Sequence, residues 1–306
     1  MDNFAGDLAS FTEDKNMAAG KEIRTKIKSV QNTQKITRAM QMVATSKMRK
    51  SQERMRQARP YADKIREVMA HLAQINPNAR ATSAYLRESA QLKKVGIILI
   101  TADKGLCGGL NTNAVKLFNQ KLREFTEQGI AVEVCTLGQK GLMAAKRLNA
   151  TVLSSAVGLG DVARMEKLIG PLSGIFSDFH AQKLDAVYIV YSKFINTMKQ
   201  EPTYEQILPL SDHHLKLNNK LPWDYIYEPE PEQLLDELIQ RYAETVVYQC
   251  LTDNMAAEQA ARMIAMRSAT DNAGNAIHEL SLAYNKSRQA AITRELAEIC
   301  AGAAAV

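Results

Sequence analysis

The chain has 306 residues, 46% hydrophobic and 24% charged, a balance that supports a packed core and excludes a disordered polymer. No apolar run approaches the ~18 residues of a membrane span, and the longest clear one, Val95 to Ile100, is strand-sized. The net charge of +6 is spread unevenly, and the four cysteines, Cys107, Cys135, Cys250 and Cys300, form no C-x-x-C pair, which argues against disulfide and metal frameworks and for a reducing compartment.

Residues 1–16 are acidic and lack a basic region followed by an apolar core, so they are no secretory signal. They are expected to be a disordered extension, with Met17-Ala18-Ala19 resembling a start. Residues 17–75 are expected to form a long helix. Small or apolar residues recur at three-four spacing: Ile23, Ile27, Val30, Thr37, Met40, Ala44, Met48, Ser51, Met55 and Ala58. This is a coiled-coil seam, though an irregular one. Pro60 is expected to kink or interrupt it, and Ala62, Ile65, Met69 and Leu72 resume it. Lys21 to Ile75 holds 14 Lys or Arg against 4 Asp or Glu, a net of +10. Such a helix attracts either an acidic neighbouring helix or an acidic partner.

Residues 76–231 read as an α/β domain. Val95 to Ile100 is a buried parallel strand, and Asp103-Lys-Gly-Leu-Cys-Gly-Gly-Leu-Asn111 is a glycine-rich turn. Helix over Asn113–Glu127, strand over Ile130–Leu137, helix over Gln139–Leu148 and strand over Thr151–Ser154 follow. Helix over Asp161–His180, strand over Leu184–Tyr191 and an edge strand over Thr203–Leu208 complete it. The alternation implies a small, largely parallel, Rossmann-like α/β fold. Glycines at 105, 108 and 109 do not match G-x-G-x-x-G, and no Lys-Ser or Lys-Thr pair follows. Their expected role is close packing of the strand end against a neighbouring helix.

Residues 232–306 contain no proline, and glycine only at Gly274 and Gly302. Helical throughout, this stretch would reach on the order of 110 Å. Eight alanines between Met255 and Ala276 favour helix and let axes approach closely. The segment holds 6 Lys or Arg against 10 Asp or Glu, a net of −4, so it cannot neutralise the first helix. Amides, among them Gln31, Asn32, Gln34, Asn254, Gln259, Asn272, Asn275, Asn285 and Gln289, make both seams more polar than a dry structural coiled coil would be.

No catalytic constellation emerges. His71, His180, His213, His214 and His278 are scattered, and Asp212-His213-His214 is a solvated loop more readily than a metal site. No G-x-S-x-G, H-E-x-x-H or paired-carboxylate motif occurs. A non-catalytic interaction protein is the simpler reading.

Three segments carry a family likeness: KITRAMQMVATSKMRK (Lys35–Lys50), TADKGLCGGLN (Thr101–Asn111) and the stretch from Thr270 to Ala305 with Ile292, Thr293, Glu295, Glu298, Gly302 and Ala303 in an I-T-x-E-x-x-E-x-x-x-G-A pattern. From about Ala18 onward the chain resembles the gamma subunit of bacterial F-type ATP synthases. The resemblance implies an antiparallel coiled coil of the terminal helices acting as a rotor shaft, with no catalysis and no cofactor of its own. It implies a ring of three alpha and three beta subunits around the shaft, and an epsilon subunit and a c-subunit ring at the foot. The resulting complex would couple proton flow to ATP synthesis on beta. The location implied is peripheral, on the cytoplasmic face of the bacterial inner membrane. By the same resemblance Met40 matches a shaft position near the beta levers. Arg288 and Gln289 match a pair that hydrogen-bonds a beta loop, and Tyr225, Tyr227 and Glu228 match the foot segment facing the c ring. The residues alone leave Met40 open to plain seam packing and the two tyrosines open to core roles. Two alternatives stand beside this: a basic coiled-coil arm of a nucleic-acid-binding protein, although residues 21–60 contain no aromatic, and a nucleotide-dependent oxidoreductase, weakened by the glycine spacing.

Overall fold

The computed structural model describes residues 3–75, 83–87, 89, 91–162, 164–210 and 231–304, with backbone only at 3–20, 55, 58–59, 62, 73–75 and 231–233. The foot residues Tyr225, Tyr227 and Glu228, and the Asp212-His213-His214 loop, lie outside the described residues. The elements in chain order are α1 (Asn3–Ile75), β1 (Lys94–Ile100), α2 (Leu110–Glu127), β2 (Ala131–Leu137), α3 (Gln139–Arg147), β3 (Thr151–Ala156), α4 (Glu166–His180), β4 (Ala186–Phe194), β5 (Gln200–Leu208) and α5 (Pro231–Ala304). The chain divides into two compact units, residues 1–43 with 265–306, and residues 44–264.

One expectation is corrected here: helix α1 runs through Pro60 without interruption. Proline has no N–H to donate and crowds the preceding turn, but one lost hydrogen bond is small against the many that a nucleated helix keeps on either side. The range of α1 begins at Asn3.

In the first unit α1 and α5 pair antiparallel. Thr37 meets Thr270, their hydroxyl oxygens 2.7 Å apart, while Gln34, one turn earlier, lies against Gly274, one turn later. Gln34 Nε2 also donates to the Thr270 carbonyl at 3.3 Å. The α1 seam is more regular than its sequence reading. Its half-buried and buried positions include Ile23, Ile27, Val30, Gln34, Thr37, Gln41 and, in the second unit, Ala44, Met48 and Ser51, with Met40, Thr45 and Lys47 half-buried beside them. The seam positions from Ile23 to Ser51 alternate steps of four and three throughout, the period of a left-handed coiled coil. From sequence Gln34 stands out as a seam amide but not as part of the three-four pattern, and Gln41 is passed over. On α5 the same alternation falls on Met266, Thr270, Ala273, Ile277, Leu280, Tyr284, Ser287 and Ala291. The amide expectation is narrowed: of the nine amides singled out, Gln34 is half-buried in the seam, Asn254 and Gln259 are buried in the second unit, and the other six are exposed.

The second unit is built on a five-stranded sheet of order β3-β2-β1-β4-β5. Neighbours pair parallel except β4 and β5, which pair antiparallel. Alternate residues of β1 serve opposite faces, so the strand reads as one continuous apolar run. Ile98 and Ile100 join Leu172, Ile175 and Phe176 of α4, together with Met69 and Leu72 of α1 and Leu235 and Ile239 of α5. Val95, Ile97 and Leu99 join Phe118 and Phe125 of α2. The edge strand is closed by aromatics: Tyr188 stacks on Tyr204 at 4.9 Å, and Lys121 lies 5.1 Å over the Tyr204 ring.

The Thr37–Thr270 layer supplies a test. Thr37 Oγ1 donates to the Gln34 carbonyl at 3.0 Å, Thr270 Oγ1 donates to the Met266 carbonyl at 2.8 Å, and two hydroxyl protons serve three contacts. Thr37→Val alone removes one partner of the layer and is expected to lower stability by about 1 kcal/mol. Thr37→Val with Thr270→Val removes both and is expected to fall near wild type. Thermal melts of the three proteins, with Val matching Thr in shape and branching, decide it; a double loss larger than the single would refute it.

Candidate functional site

In an open α/β sheet, ligands enter the crevice at the carboxyl ends of the strands where the strand order reverses. Here that point lies between β1 and β4, and the glycine-rich turn leaves β1 directly into it. The crevice is filled by the protein itself. Ala256, Ala257 and Ala260 of α5 are all at 0% exposure, and Ala257 and Ala261 pack on Cys107 and Leu110 of the turn and on Phe194 at the end of β4. Asn254 accepts the Ser192 N–H at 3.0 Å. Arg262 donates to the Gly105 carbonyl at 3.1 Å and to Glu258 at 2.5 Å. The turn packs against α5 through Cys107 and Leu110, and the expected role of its glycines is corrected: a Cβ at Gly105 or Gly108 would meet open space, and one at Gly109 only the Asn113 side chain.

The second phosphate-type position, the amino end of α3, is also taken. The Asp103 carboxylate accepts the backbone N–H groups of Gln139 at 3.0 Å, Gly158 at 3.2 Å and Leu159 at 2.9 Å. It caps α3 from outside and ties the loops after β2 and β3 to the end of β1. The α3 entry also requires glycine. At Gly138 φ is +109°, and an added Cβ would fall 2.2 Å from the Thr101 carbonyl oxygen. A carboxylate donated by the chain thus sits where a phosphate group would be received.

The same edge is pinned to α1. Lys47 pairs with Asp161 at 2.8 Å, and Arg54 donates to the Asp161 carbonyl at 2.9 Å. The Lys47 hydrogen bond holds the Asp161 carboxyl below its ordinary range, with Lys104 and Arg262 adding to the effect. Glu258 moves the other way because burial outweighs its pairing with Arg262. None of Asp103, Lys47, Arg54 or Arg262 stood out in the sequence, since their partners are distant in the chain.

A half-buried acid lies on the same helix. Asp253 of α5 accepts the Phe194 N–H near Lys193 and Glu205, and burial pushes its carboxyl up to about 6.

In the first unit Met40 is half-buried and flanks the seam, while Arg288 and Gln289 are exposed. Exposed apolar side chains, missed from sequence, share these surfaces: Ile36, Met42 and Val43 on α1, and Leu282, Ile292, Leu296 and Ile299 on α5. Of the cysteines, Cys107, Cys135 and Cys250 are buried and Cys300 is exposed.

A sequence model of the ATP synthase family matches residues 19–306. The ATP synthase gamma chain of Chromobacterium violaceum is 63% identical over 290 residues, covering 95% of this chain and all of its own length. The gamma chain of Laribacter hongkongensis is 60% identical over the same span. This chain belongs to the gamma-chain family of ATP synthases. A gamma chain is a central-stalk rotor subunit and is not itself catalytic, which agrees with a crevice filled by α5 and Asp103. The fold is shared with the rotor of the Euglena gracilis mitochondrial ATP synthase, at TM-score 0.62 and 18% identity, over 90% of this chain and 99% of that one. A second Euglena structure, of the OSCP/F1/c-ring assembly, matches at TM-score 0.64 and 19% identity over 94% of each chain. The nucleic-acid-binding and oxidoreductase alternatives gain no support from these matches.

Two predictions follow from the geometry of this unit. Asp103→Ala removes the acceptor of three backbone donors, of which only the Leu159 N–H is partly buried, and is expected to cost on the order of 1–2 kcal/mol, with Asp103→Asn losing less because it keeps one acceptor. The urea midpoint measures this, and an unshifted midpoint for the alanine variant would show the cap to be idle. For Asp253 the ordinary carboxyl value is about 3.9 and the folded value is about 6. The folded chain therefore binds more protons across that window, and this group's contribution to stability falls as pH rises through it and is level above. Asp253→Asn is expected to flatten that slope, measured as unfolding free energy against pH; an identical slope in both proteins would assign it to other groups.

Proposed function

We propose that this gamma chain turns inside a ring of three alpha and three beta subunits, and that its foot binds an epsilon subunit and a ring of c subunits. In this reading the complex couples proton flow to ATP synthesis, with the chain peripheral on the cytoplasmic face of the bacterial inner membrane. No helix among the described residues is long and apolar enough to cross a membrane. The observation that carries the reading is the outer surface of the α1–α5 pair in the first unit. Its seam is satisfied by the two helices themselves, yet Met42 is 63% exposed and Ile299 68% exposed. Apolar side chains displayed on a helix pair whose own seam is filled mark surfaces that other chains cover. The charge supports the same reading: α1 between Lys21 and Ile75 carries a surplus that α5 does not cancel, suited to acidic neighbours.

Within this reading Met40, beside exposed Met42 and Val43, faces the beta levers, and Arg288 with Gln289 hydrogen-bonds a beta loop. Tyr225, Tyr227 and Glu228 face the c ring. One reconstitution tests both ends. Arg288→Ala with Gln289→Ala is expected to slow ATP hydrolysis by the soluble complex about tenfold, since a charge-assisted hydrogen bond is worth on the order of 1.5–3 kcal/mol. Alanine keeps helix propensity, and circular dichroism controls for folding. Tyr225→Ala with Glu228→Ala is expected to leave soluble hydrolysis near wild type and to lower proton pumping per ATP in inverted vesicles. Full turnover in the first variant, or an unchanged pumping ratio in the second, would remove the corresponding contact from the proposal.

A further inference from the structure

Away from the sheet edge, helices α2 and α3 enclose an open groove of about 650 Å³. One face of each helix lines it. On α2 the lining positions are 111, 112, 115, 116 and 119, and on α3 they are 140, 143, 144 and 147, with Leu148 just past its end, the spacing of a single helical stripe. The floor is apolar, with Val115, Ala144 and Leu148. Met143 stands over it at 56% exposure, a flexible and polarisable side chain of the kind that adapts to a partner's surface. The rim carries Lys116, Lys140 and Arg147, and no Asp or Glu lines the groove. Each of the three cations is exposed, and none has an ion-pair partner among the described residues. Elsewhere on the same unit an exposed lysine does find a carboxylate, as Lys183 does with Asp178 at 2.9 Å.

Three cations around an apolar floor repel one another until an anionic surface arrives. Two helices separated by a groove accept a third helix laid along them. We propose that the α2–α3 groove docks a short acidic amphipathic helix of a partner protein, its apolar stripe over Val115, Met143 and Leu148 and its carboxylates on Lys116, Lys140 and Arg147. Positions 112 to 119 span on the order of 11 Å, so the docked segment is about two turns long. Charge steering sets how readily it engages, and salt weakens it. The site goes beyond the rotor contacts above, which use neither helix.

The test uses the whole chain in its native complex. Met143→p-benzoylphenylalanine is irradiated in cells, and the cross-linked peptide is identified by mass spectrometry. The expected product is a peptide of another protein whose helical segment carries net negative charge. The yield should fall on the order of tenfold in Lys140→Glu with Arg147→Glu, where attraction becomes repulsion. In the isolated complex it should fall again as salt rises to about 0.5 M, where the Debye length is only a few ångströms. Should the charge-reversed chain fail to assemble, the neutral Lys140→Gln with Arg147→Gln carries the comparison and is expected to lie between the two. No cross-link, a cross-link to a lipid, a nucleic acid or a segment without net negative charge, or a yield indifferent to both charge variants would overturn the proposal. None of these outcomes bears on rotation, because hydrolysis and pumping are measured separately.

Discussion

The close approach of α5 to the carboxyl edge of the sheet governs the second unit. It is made possible by side chains that barely exist: Ala256, Ala257 and Ala260. A larger residue at Ala257 would push the helix off Cys107 and Leu110 and open a crevice that the fold otherwise offers to ligands. With the helix seated, backbone groups at the ends of β1 and β4 find partners on it in Arg262 and Asn254. The loops after β2 and β3 then gather on Asp103. A nucleotide-type scaffold is thereby turned into a mounting for two long helices.

The energetics of that mounting are mainly apolar. The salt bridge of Lys47 with Asp161 is partly exposed, at 38% and 58%, and such pairs contribute at most about 1 kcal/mol. The cluster that joins Met69 and Leu72 of α1 to Leu235 and Ile239 of α5 is fully buried, all four at 0%. Each such side chain contributes roughly 1.5–3 kcal/mol on burial. Packing therefore holds the helices to the domain, and the ion pairs position the loops. In the first unit the balance differs. Thr37, Gln34 and Gln41 put polar groups into the seam, which weakens packing while specifying which layer faces which.

Much of this was legible in the residues. The apolar run of β1, the alternation of strands and helices and the proline-free stretches are local signals, and they placed all five strands to within a few residues. The glycine spacing, which fits no dinucleotide fingerprint, stands beside a crevice that α5 fills. What could not be read were features made by distant pairs. Asp103 is one acid among many until its three backbone donors, up to 56 positions away, are brought to it. Gln41 was passed over, and Gln34 was left out of the periodic set, because periodicity was sought among small and apolar residues, yet the seam admits amides. Pro60 was expected to break the helix on local chemistry alone, but a long nucleated helix carries through it.

The distribution of thiols has a practical consequence. Three cysteines lie inside the fold, and burial pushes the thiols of Cys107, Cys135 and Cys250 up, so they stay protonated and sheltered at neutral pH. Cys300 alone is exposed, four residues before the end of α5. A maleimide dye or a tethered bead offered to the folded free subunit therefore has a single native attachment point, near the end of one long helix. Orientation can be followed on the natural sequence, with no cysteine removed or introduced.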